Sequence, residues 1–300
     1  MTLTDAPRSK IAYLIQALPI TDNILIAFEI NHSLKLKTDG KEGSMSIKLD
    51  MSKAFDKVEW SFLREMLLAL GFHLDFVNLL YRCISTVSYS FLLNGQQFGH
   101  LKPQRGIRQG DPLSPYLFLI CAEAFSCLLQ EAERCGNISG VQAGADGPRI
   151  SHFLFADDIL LFGKATLREA QHIKSILQLY KYASGQEINL DKSAIVFSRN
   201  TSSEVRQSIT NFLGIRETAA HDKYLGLPTV IGCSKRAVFS SIKDRIWRKI
   251  HGWNEQRLSR AGKEVLIKAV VQAIPTYSMS CFKFPDSLLG EIQSMISDFW

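Results

Sequence analysis

Two adjacent aspartates between two apolar runs are the feature that most constrains this chain. In FLFADDILLFG, residues 153–163, the apolar run 153–155 precedes Asp157 and Asp158, and the run 159–162 follows them. Short unbroken runs of aromatic and branched residues are typical of strands that are buried on both faces of a sheet. The pattern therefore predicts a hairpin with both aspartates at its turn, where two repelling carboxylates need water or a cation.

The segments around this hairpin predict further strands and helices. Alternating apolar and polar residues over 45–49 indicate a strand that leads to Asp50. Helices are predicted over 58–71, 114–136 and 166–185. Thr166 and Glu169 have the spacing of a capping box at the start of the last helix, and Asn-Gly at 94–95 indicates a second hairpin. This order predicts an α+β fold, in which helices pack on a small antiparallel sheet.

Positive charge is concentrated near the C-terminal end. The whole chain has a formal net charge of +6. Residues 221–270 contain eleven Lys or Arg and four Asp or Glu, a net charge of +7, and their pattern is helical from Lys235 onward. Such a segment is either a solvated helical face or a surface that follows a phosphate backbone, and the sequence leaves both interpretations open.

Composition and cysteine spacing exclude several classes of protein. The 300 residues are 46% hydrophobic and 21% charged, which is typical of a globular protein with about two domains. The six cysteines include no C-x-x-C pair, so neither a zinc site nor a disulfide framework is indicated. The N-terminus lacks the apolar segment of a signal peptide, and the apolar stretch 116–129 is too short to span a bilayer. We expect an intracellular protein of the cytoplasm or nucleus, with no transmembrane segment.

Three carboxylates converge if the strand ending at Asp50 pairs beside the hairpin of Asp157 and Asp158. Mg²⁺ prefers oxygen ligands, and two such ions can stabilise both the attacking and the leaving oxygen of a phosphoryl transfer. Each motif alone has a plainer interpretation, which is a turn for the aspartate pair and a helix cap for Asp50. The combination of the motifs is what favours a metal site.

Five blocks of this sequence resemble the palm motifs of reverse transcriptases, in the same order and with similar spacing. The blocks are KLDMSKAFDKVEW (48–60), PQRGIRQGDPLSPYLF (103–118), FADDILLF (155–162), GQEINLDKSAIVFS (185–198) and KYLGLPTV (223–230). The form QGDPLSP is similar to that of LINE-type, non-LTR retrotransposon enzymes and group II intron maturases, and differs from the retroviral form. The resemblance covers about residues 21–300.

The resemblance implies roles for individual residues. Asp50, Asp157 and Asp158 match the catalytic carboxylates that bind two Mg²⁺ ions. Phe55 resembles the steric gate, an aromatic ring that excludes a ribose 2′-hydroxyl, although it is also readily explained as a core aromatic. Lys192 resembles the lysine that protonates the departing pyrophosphate, and a surface lysine is the plainer interpretation.

Further positions match the substrate-binding blocks of the family. Gln109 and Gly110 match the block that shapes the nucleotide pocket and the template contact, and a glycine there allows close approach of the backbone. Arg108 and Arg105 flank this block and are expected to contact template phosphate, although arginines at a surface are commonly solvated. Asp56 is not a metal ligand in the family, and we expect it to cap the following helix.

The implied fold is a right-hand polymerase palm of the α+β class, with truncated fingers and a helical C-terminal thumb. We expect residues 1–43 to be a remnant of the fingers and lead-in, 44–222 to form the palm with the catalytic carboxylates, and 223–300 to form the primer grip and a truncated, basic, helical thumb. The chain is thus expected to be part of a longer open reading frame.

The implied function is RNA-directed DNA polymerisation for a non-LTR retroelement. Two metal ions would promote transfer of a nucleotide from a dNTP to a primer 3′-hydroxyl, with an RNA template and a DNA primer as partners. The alternative is a catalytically inactive retroelement remnant that at most binds nucleic acid. A different palm-fold nucleotidyl transferase is a third possibility, which QGDPLSP does not favour.

Overall fold

A computed structural model of the chain describes residues 19–144, 147–231, 234–254 and 258–300. Contacts between residues divide the described chain into two units. The first unit is Ile30–His221, and the second consists of residues 19–29 together with Asp222–Trp300. Helix α1 (Ile20–Leu36) has residues in both units. Within the described ranges, no helix has both the length and the apolar composition that crossing a membrane requires.

A five-stranded sheet organises the first unit. Its strands are β1 (Ser44–Asp50), β6 (His152–Phe155), β7 (Asp158–Lys164), β8 (Ala194–Phe197) and β9 (Arg216–Glu217). Their order across the sheet is β6-β7-β1-β8-β9. All neighbouring pairs are antiparallel except β8 and β9, which are parallel. Two small two-stranded sheets lie outside it, β2 (Tyr89–Leu93) with β3 (Gln96–Leu101), and β4 (Val141–Gln142) with β5 (Arg149–Ile150).

Five helices belong wholly to the first unit. They are α2 (Trp60–Ala69), α3 (Leu74–Ser85), α4 (Ser114–Arg134), α5 (Leu167–Ser184) and α6 (Ser203–Leu213). Apolar side chains of these helices pack with Ile47 and Leu49 of β1 and Leu161 of β7 in one buried cluster. The predicted hairpin of β6 and β7 is confirmed, and residues 159–162 of β7 are buried whichever face of the sheet they point to. The predicted α+β class is confirmed as well.

Helix ends were predicted well where the signal is local. The Thr166 side chain accepts a hydrogen bond from the backbone N–H of Glu169, and Gly185 ends α5 in the left-handed conformation. The Glu169 carboxylate does not complete the capping box. It is buried and accepts hydrogen bonds from Ser139 Oγ and the Lys164 N–H, because these donors need a partner inside the unit.

The prediction that Asp56 caps helix α2 is wrong. This helix starts at Trp60, and its N-cap residue is Glu59, which makes no side-chain cap hydrogen bond. The N–H of Glu59 is bonded to Ser184 O, so a tertiary contact sets the entry into the helix. Asp56 lies in the preceding turns.

The second unit is helical after a short turn. Its helices are α7 (Lys235–Asn254), α8 (Arg260–Leu266), a π-helical segment (Ile267–Val271), α9 (Ala273–Cys281) and α10 (Asp286–Phe299). A separate apolar cluster, which includes Phe239, Ile246, Val271 and Phe284, forms its core. The helical character predicted from Lys235 onward is confirmed. The identification of this unit with a thumb stays a prediction.

Candidate active site

The sheet brings Asp50 and Asp158 together at the ends of two neighbouring strands. Asp50 is the last residue of β1 and Asp158 the first residue of β7, and they are direct partners in the antiparallel register. Partner residues of an antiparallel pair point to the same face of the sheet, as do residues two apart on one strand. Asp50, Asp158 and Lys48 therefore share one face.

Asp157 lies in the tight turn between β6 and β7, and its side chain is exposed. Phe155 pairs with Asp158, so the turn consists of Ala156 and Asp157. Ala156 has a φ of 50°, a left-handed conformation that is costly for a residue with a Cβ. Backbone strain of this kind at a turn is typical of functional sites, where the surrounding structure maintains it.

Lys48 neutralises part of this acidic end. Its Nζ lies 3.4 Å from Asp158 Oδ1, and the two side chains are 24% and 38% exposed. Across the described residues, no three His, Cys, Asp or Glu side chains are arranged so that they could hold a metal ion. The register thus places two carboxylates on one face, while the third stays on the turn and an ammonium group contacts Asp158.

The segment 185–198 fixes the backbone of Asp50. The carbonyl of Asp50 accepts a hydrogen bond from the Asn189 N–H at 2.8 Å, and the Asp50 N–H donates to Ser193 Oγ at 3.2 Å. Lys192 lies in the turn between these two anchors, with an exposed side chain and its N–H bonded to Asn189 Oδ1. Asn189 and Ser193 were missed as positioning residues, although the NLDKS motif contains them.

Phe55 has a mixed environment. Its ring is half-buried and stacks on Phe118, with ring centroids 5.0 Å apart and planes 9° apart. Its carbonyl accepts a hydrogen bond from the Ile107 N–H at 2.8 Å. The buried Gln186 amide donates to Ala54 O at 2.7 Å, which holds the residue before Phe55. The ring thus contributes to the core, and the backbone joins the Asp50 block to the loop of Gln109.

A cavity of about 500 Å³ lies beside this loop. Its lining includes Arg108, Gln109, Asp56 and Asp111, and it does not include Phe55. Gly110 is exposed with a φ of +82°, and no atom lies within 4 Å of the Cβ that a side chain would add there. Gln109 and Arg108 therefore lie together at a concave surface, as a substrate-binding loop requires.

Gly106, in the same loop, is packed closely against the backbone of the Asp50 block. A Cβ on Gly106 would lie 2.7 Å from Asp56 O. The Gly106 carbonyl accepts a hydrogen bond from Trp60 Nε1 at 2.7 Å. Arg105 beside it contacts Glu59 at 3.2 Å, so this arginine has a carboxylate partner within the protein.

Glu187 connects the segment 185–198 to the Asp50 block. Its carboxylate accepts hydrogen bonds from Lys181 Nζ at 2.6 Å and Lys57 Nζ at 2.5 Å. The hydrogen bond from Lys181, and next that from Lys57, lower the pKa of Glu187 to about 2. The carboxylate therefore stays charged at any physiological pH, and the contact with Lys57 persists.

The second unit has a cavity of its own, of about 920 Å³. Arg245, Arg248 and Lys249 of α7 line one side of it. The motif KYLGLPTV forms a turn beside it, in which Tyr224 and Leu227 are bridged as in an antiparallel pair. The Leu225 carbonyl of this turn accepts a hydrogen bond from Tyr277 Oη at 2.8 Å. The turn is thus anchored to α9, and basic side chains line one side of the neighbouring cavity.

The sheet and its strand-end aspartates define a class of protein. Carboxylates at adjacent strand ends offer oxygen ligands of the kind that divalent metal ions take in enzymes of phosphoryl transfer. The family model described as reverse transcriptase (RNA-dependent DNA polymerase) matches residues 9–226. The chain therefore belongs to the reverse transcriptase family, whose members use divalent metal ions.

Relatives place it near the non-LTR elements. The transposon TX1 protein of Xenopus laevis is 24% identical over 96% of this chain and 21% of its own length. The R2 retrotransposon polyprotein of Popillia japonica is 28% identical over 50% of this chain and 20% of its own length. An uncharacterised mitochondrial protein of Arabidopsis thaliana is 50% identical over 23% of this chain and 56% of its own length. The resemblance to LINE-type enzymes is confirmed, and the chain spans between a fifth and about half of these relatives.

Among solved structures, telomerase of Candida tropicalis in complex with a fragment of telomeric RNA is similar to this chain. The TM-score is 0.49 with 13% sequence identity, covering 98% of this chain and 49% of the telomerase chain. Telomerase of Candida albicans gives the same TM-score, identity and coverage.

Proposed function

We propose that this chain forms the polymerase core of a non-LTR retroelement reverse transcriptase. It would transfer nucleotides from dNTPs to the 3′-hydroxyl of a DNA primer along an RNA template. The observation that carries the proposal is the register that places Asp50 opposite Asp158, with Asp157 on the adjoining turn, in a chain of the reverse transcriptase family.

The chemistry of these side chains suits Mg²⁺, and we propose that Asp50, Asp157 and Asp158 turn toward one another to hold two ions when these bind. All three side chains offer carboxylate oxygens, the ligands that this hard cation prefers, and the ammonium group of Lys48 at Asp158 indicates that positive charge is stabilised there. When bound, the two ions would lower the charge of the reacting phosphate and stabilise the leaving oxygen. Asn189 and Ser193 would keep the backbone of Asp50 in place.

The remaining roles concern the substrate. Lys192 is proposed as the acid that gives a proton to pyrophosphate, supported by its exposed position in the turn that anchors Asp50. Gln109 and Arg108 are proposed to contact the nucleotide and template at their cavity, and Gly110, the next residue in the loop, is proposed to contact the same substrate. Phe55 does not line this cavity, so it is proposed as the steric gate only through the exposed part of its ring, which would meet the sugar beside the cavity. Its stacking on Phe118 would keep the ring rigid.

The basic second unit is proposed as the thumb, which binds the primer–template duplex through its phosphates. Arg245, Arg248 and Lys249 line a cavity beside the KYLGLPTV turn. Contacts of this type position a duplex without reading its sequence, and they weaken steeply as salt rises. The boundaries 44–222 for the palm and 223–300 for the primer grip and thumb are part of this proposal.

Primer extension on an RNA template tests the function. The chain should extend a labelled DNA primer with Mg²⁺ and not with a chelator. Asp158→Asn should lower the rate more than about a hundredfold, because it removes a charge that holds the metal. Asp75→Asn, at a side chain that is 89% exposed on α3, is the matched control and should extend normally. Equal extension by the Asp158 variant would contradict the proposed site, and duplex binding with no extension by any form would support the inactive alternative.

A further inference from the structure

A second cavity lies at the other end of strand β1. Ser44 begins this strand and lines the cavity, which has a volume of about 410 Å³. Asp50 ends the same strand, and seven strand residues span about 20 Å at the usual rise. The cavity is therefore separate from the candidate active site, and no role in the proposed polymerase reaction explains it.

The charged side chains in the walls of this cavity are mostly cationic. Lys37, Arg149 and Lys164 line it, and Glu42 is the one carboxylate among its described lining residues. Lys164 Nζ lies 2.7 Å from the Glu42 carboxylate. Lys37 Nζ donates a hydrogen bond to the buried Ser44 hydroxyl at 2.9 Å. Three cations thus face one acid.

One carboxylate serves two ammonium groups here. The hydrogen bond from Lys164, the charge of Lys164 and, more weakly, the charge of Lys37 lower the pKa of Glu42. Glu42 is therefore ionised already and has no further negative charge to offer. Lys37 and Lys164 are each half-buried, so water screens their charges less than it screens those of exposed lysines. The cavity keeps an excess of positive charge that an anion can balance.

We infer that this cavity binds a phosphate group, carried either by an RNA strand or by a free nucleotide. Phosphate has several acceptor oxygens and one or two negative charges, which match converging ammonium groups and the planar fork of an arginine. The volume is much larger than a single ion needs and accommodates a nucleotide-sized ligand. The inference is independent of catalysis by the chain.

Lysine footprinting tests the inference directly. The chain is acylated briefly in the presence of inorganic phosphate, uridine monophosphate or a short oligouridylate, and each lysine is quantified by mass spectrometry. Lys37 and Lys164 should be protected as the ligand concentration rises. Lys41 is an exposed residue of the same segment that does not line the cavity, and it should react at an unchanged rate. No protection by any ligand, or equal protection of Lys41, would overturn the inference.

The three ligands also identify the source of the phosphate. Protection by oligouridylate alone assigns the cavity to an RNA strand, and equal protection by uridine monophosphate assigns it to a free nucleotide. Both results support the inference. Failure of primer extension would not affect this readout, because acylation reports only on the lysines.

Variants with opposite expected signs sharpen the test. Arg149→Gln should raise the ligand concentration that half-protects Lys164 about tenfold, as expected for loss of one charged hydrogen-bond donor. Glu42→Gln should lower this concentration, because the competing carboxylate is removed. Lys41→Gln is the control and should leave it unchanged. Weaker binding by the Glu42 variant in a folded protein would contradict the electrostatic argument.

Discussion

The two ends of strands β1 and β7 carry opposite charge. At each end, the side chains of the minority charge are too few to neutralise the others. At one end, the ammonium group of Lys48 faces the carboxylates of Asp50 and Asp158. At the other end, the carboxylate of Glu42 lies among the cations of the cavity that we propose binds phosphate, called the phosphate cavity below. A folded protein normally pairs such charges. One sheet therefore presents an acidic end, which we propose binds a metal ion, and a basic end, which we propose binds phosphate.

Removing a carboxylate at the acidic end should have the strongest effect on activity. Asp50→Asn should lower primer extension more than about a hundredfold, since it removes a proposed metal ligand without changing the side-chain size. Asp39→Asn changes an exposed carboxylate near the other end, outside the lining of the phosphate cavity, and should leave the rate unchanged. Single-turnover extension with both variants measures the difference. Equal rates for the two variants would show that the carboxylate of Asp50 has no special role in the reaction.

A smaller effect is expected from the network that holds the hairpin of β6 and β7 to helix α4. Ser151 Oγ donates to Glu133 at 2.8 Å, so it is free to accept from His152 Nδ1 at 2.9 Å. His152 Nε2 then accepts from Ser126 Oγ at 2.9 Å. This pattern needs a neutral imidazole. Burial lowers the pKa of His152, and the negative charge of Glu133 raises it by less.

The sign of the pH dependence follows from this lowered pKa. Below the ordinary pKa of histidine the unfolded chain binds a proton that the folded chain rejects, so the stability is complete above that pH and is lost as the pH falls toward the folded value. Chemical denaturation should show that the free energy of unfolding falls more steeply from pH 7 to pH 5 for the wild type than for His152→Gln. Parallel profiles for the two proteins would show that His152 does not titrate in this way.

Local signals in the sequence predicted much of this fold. The hairpin of β6 and β7 and the cap at Thr166 depend on neighbouring residues, so their patterns could be read directly. The cap assigned to Asp56 was wrong because Ser184, far along the chain, sets the start of helix α2. Tertiary contacts of this kind have no signature in a single segment.

The sequence predicted one of the two charged ends and not the other. The three aspartates were found through motifs, yet the contact of Lys48 with Asp158 depends on strand register, which the motifs do not contain. The phosphate cavity was missed entirely. Its cations, Lys37, Arg149 and Lys164, come from separate segments, and none of them belongs to a recognisable motif.

The smallest expected effect concerns the lysine at the acidic end. Lys48→Gln should tighten Mn²⁺ binding about threefold, because a partly exposed ion pair contributes little and its loss frees Asp158 for the metal. Lys102→Gln, at an exposed lysine outside the site, is the control. Titration followed by electron paramagnetic resonance measures both affinities. Weaker Mn²⁺ binding in the Lys48 variant would mean that this lysine supports the metal site.

The proposed function depends on a divalent metal ion at the acidic end of β1 and β7. Iron-mediated cleavage tests it without requiring polymerase activity, since Fe²⁺ bound in place of Mg²⁺ and treated with ascorbate and peroxide cuts the backbone close to its ligands. Cuts should map near Asp50 and near Asp157 and Asp158, should be suppressed by excess Mg²⁺, and should disappear in Asp158→Asn. Cleavage elsewhere, or cleavage at these positions that the substitution leaves unchanged, would contradict the account.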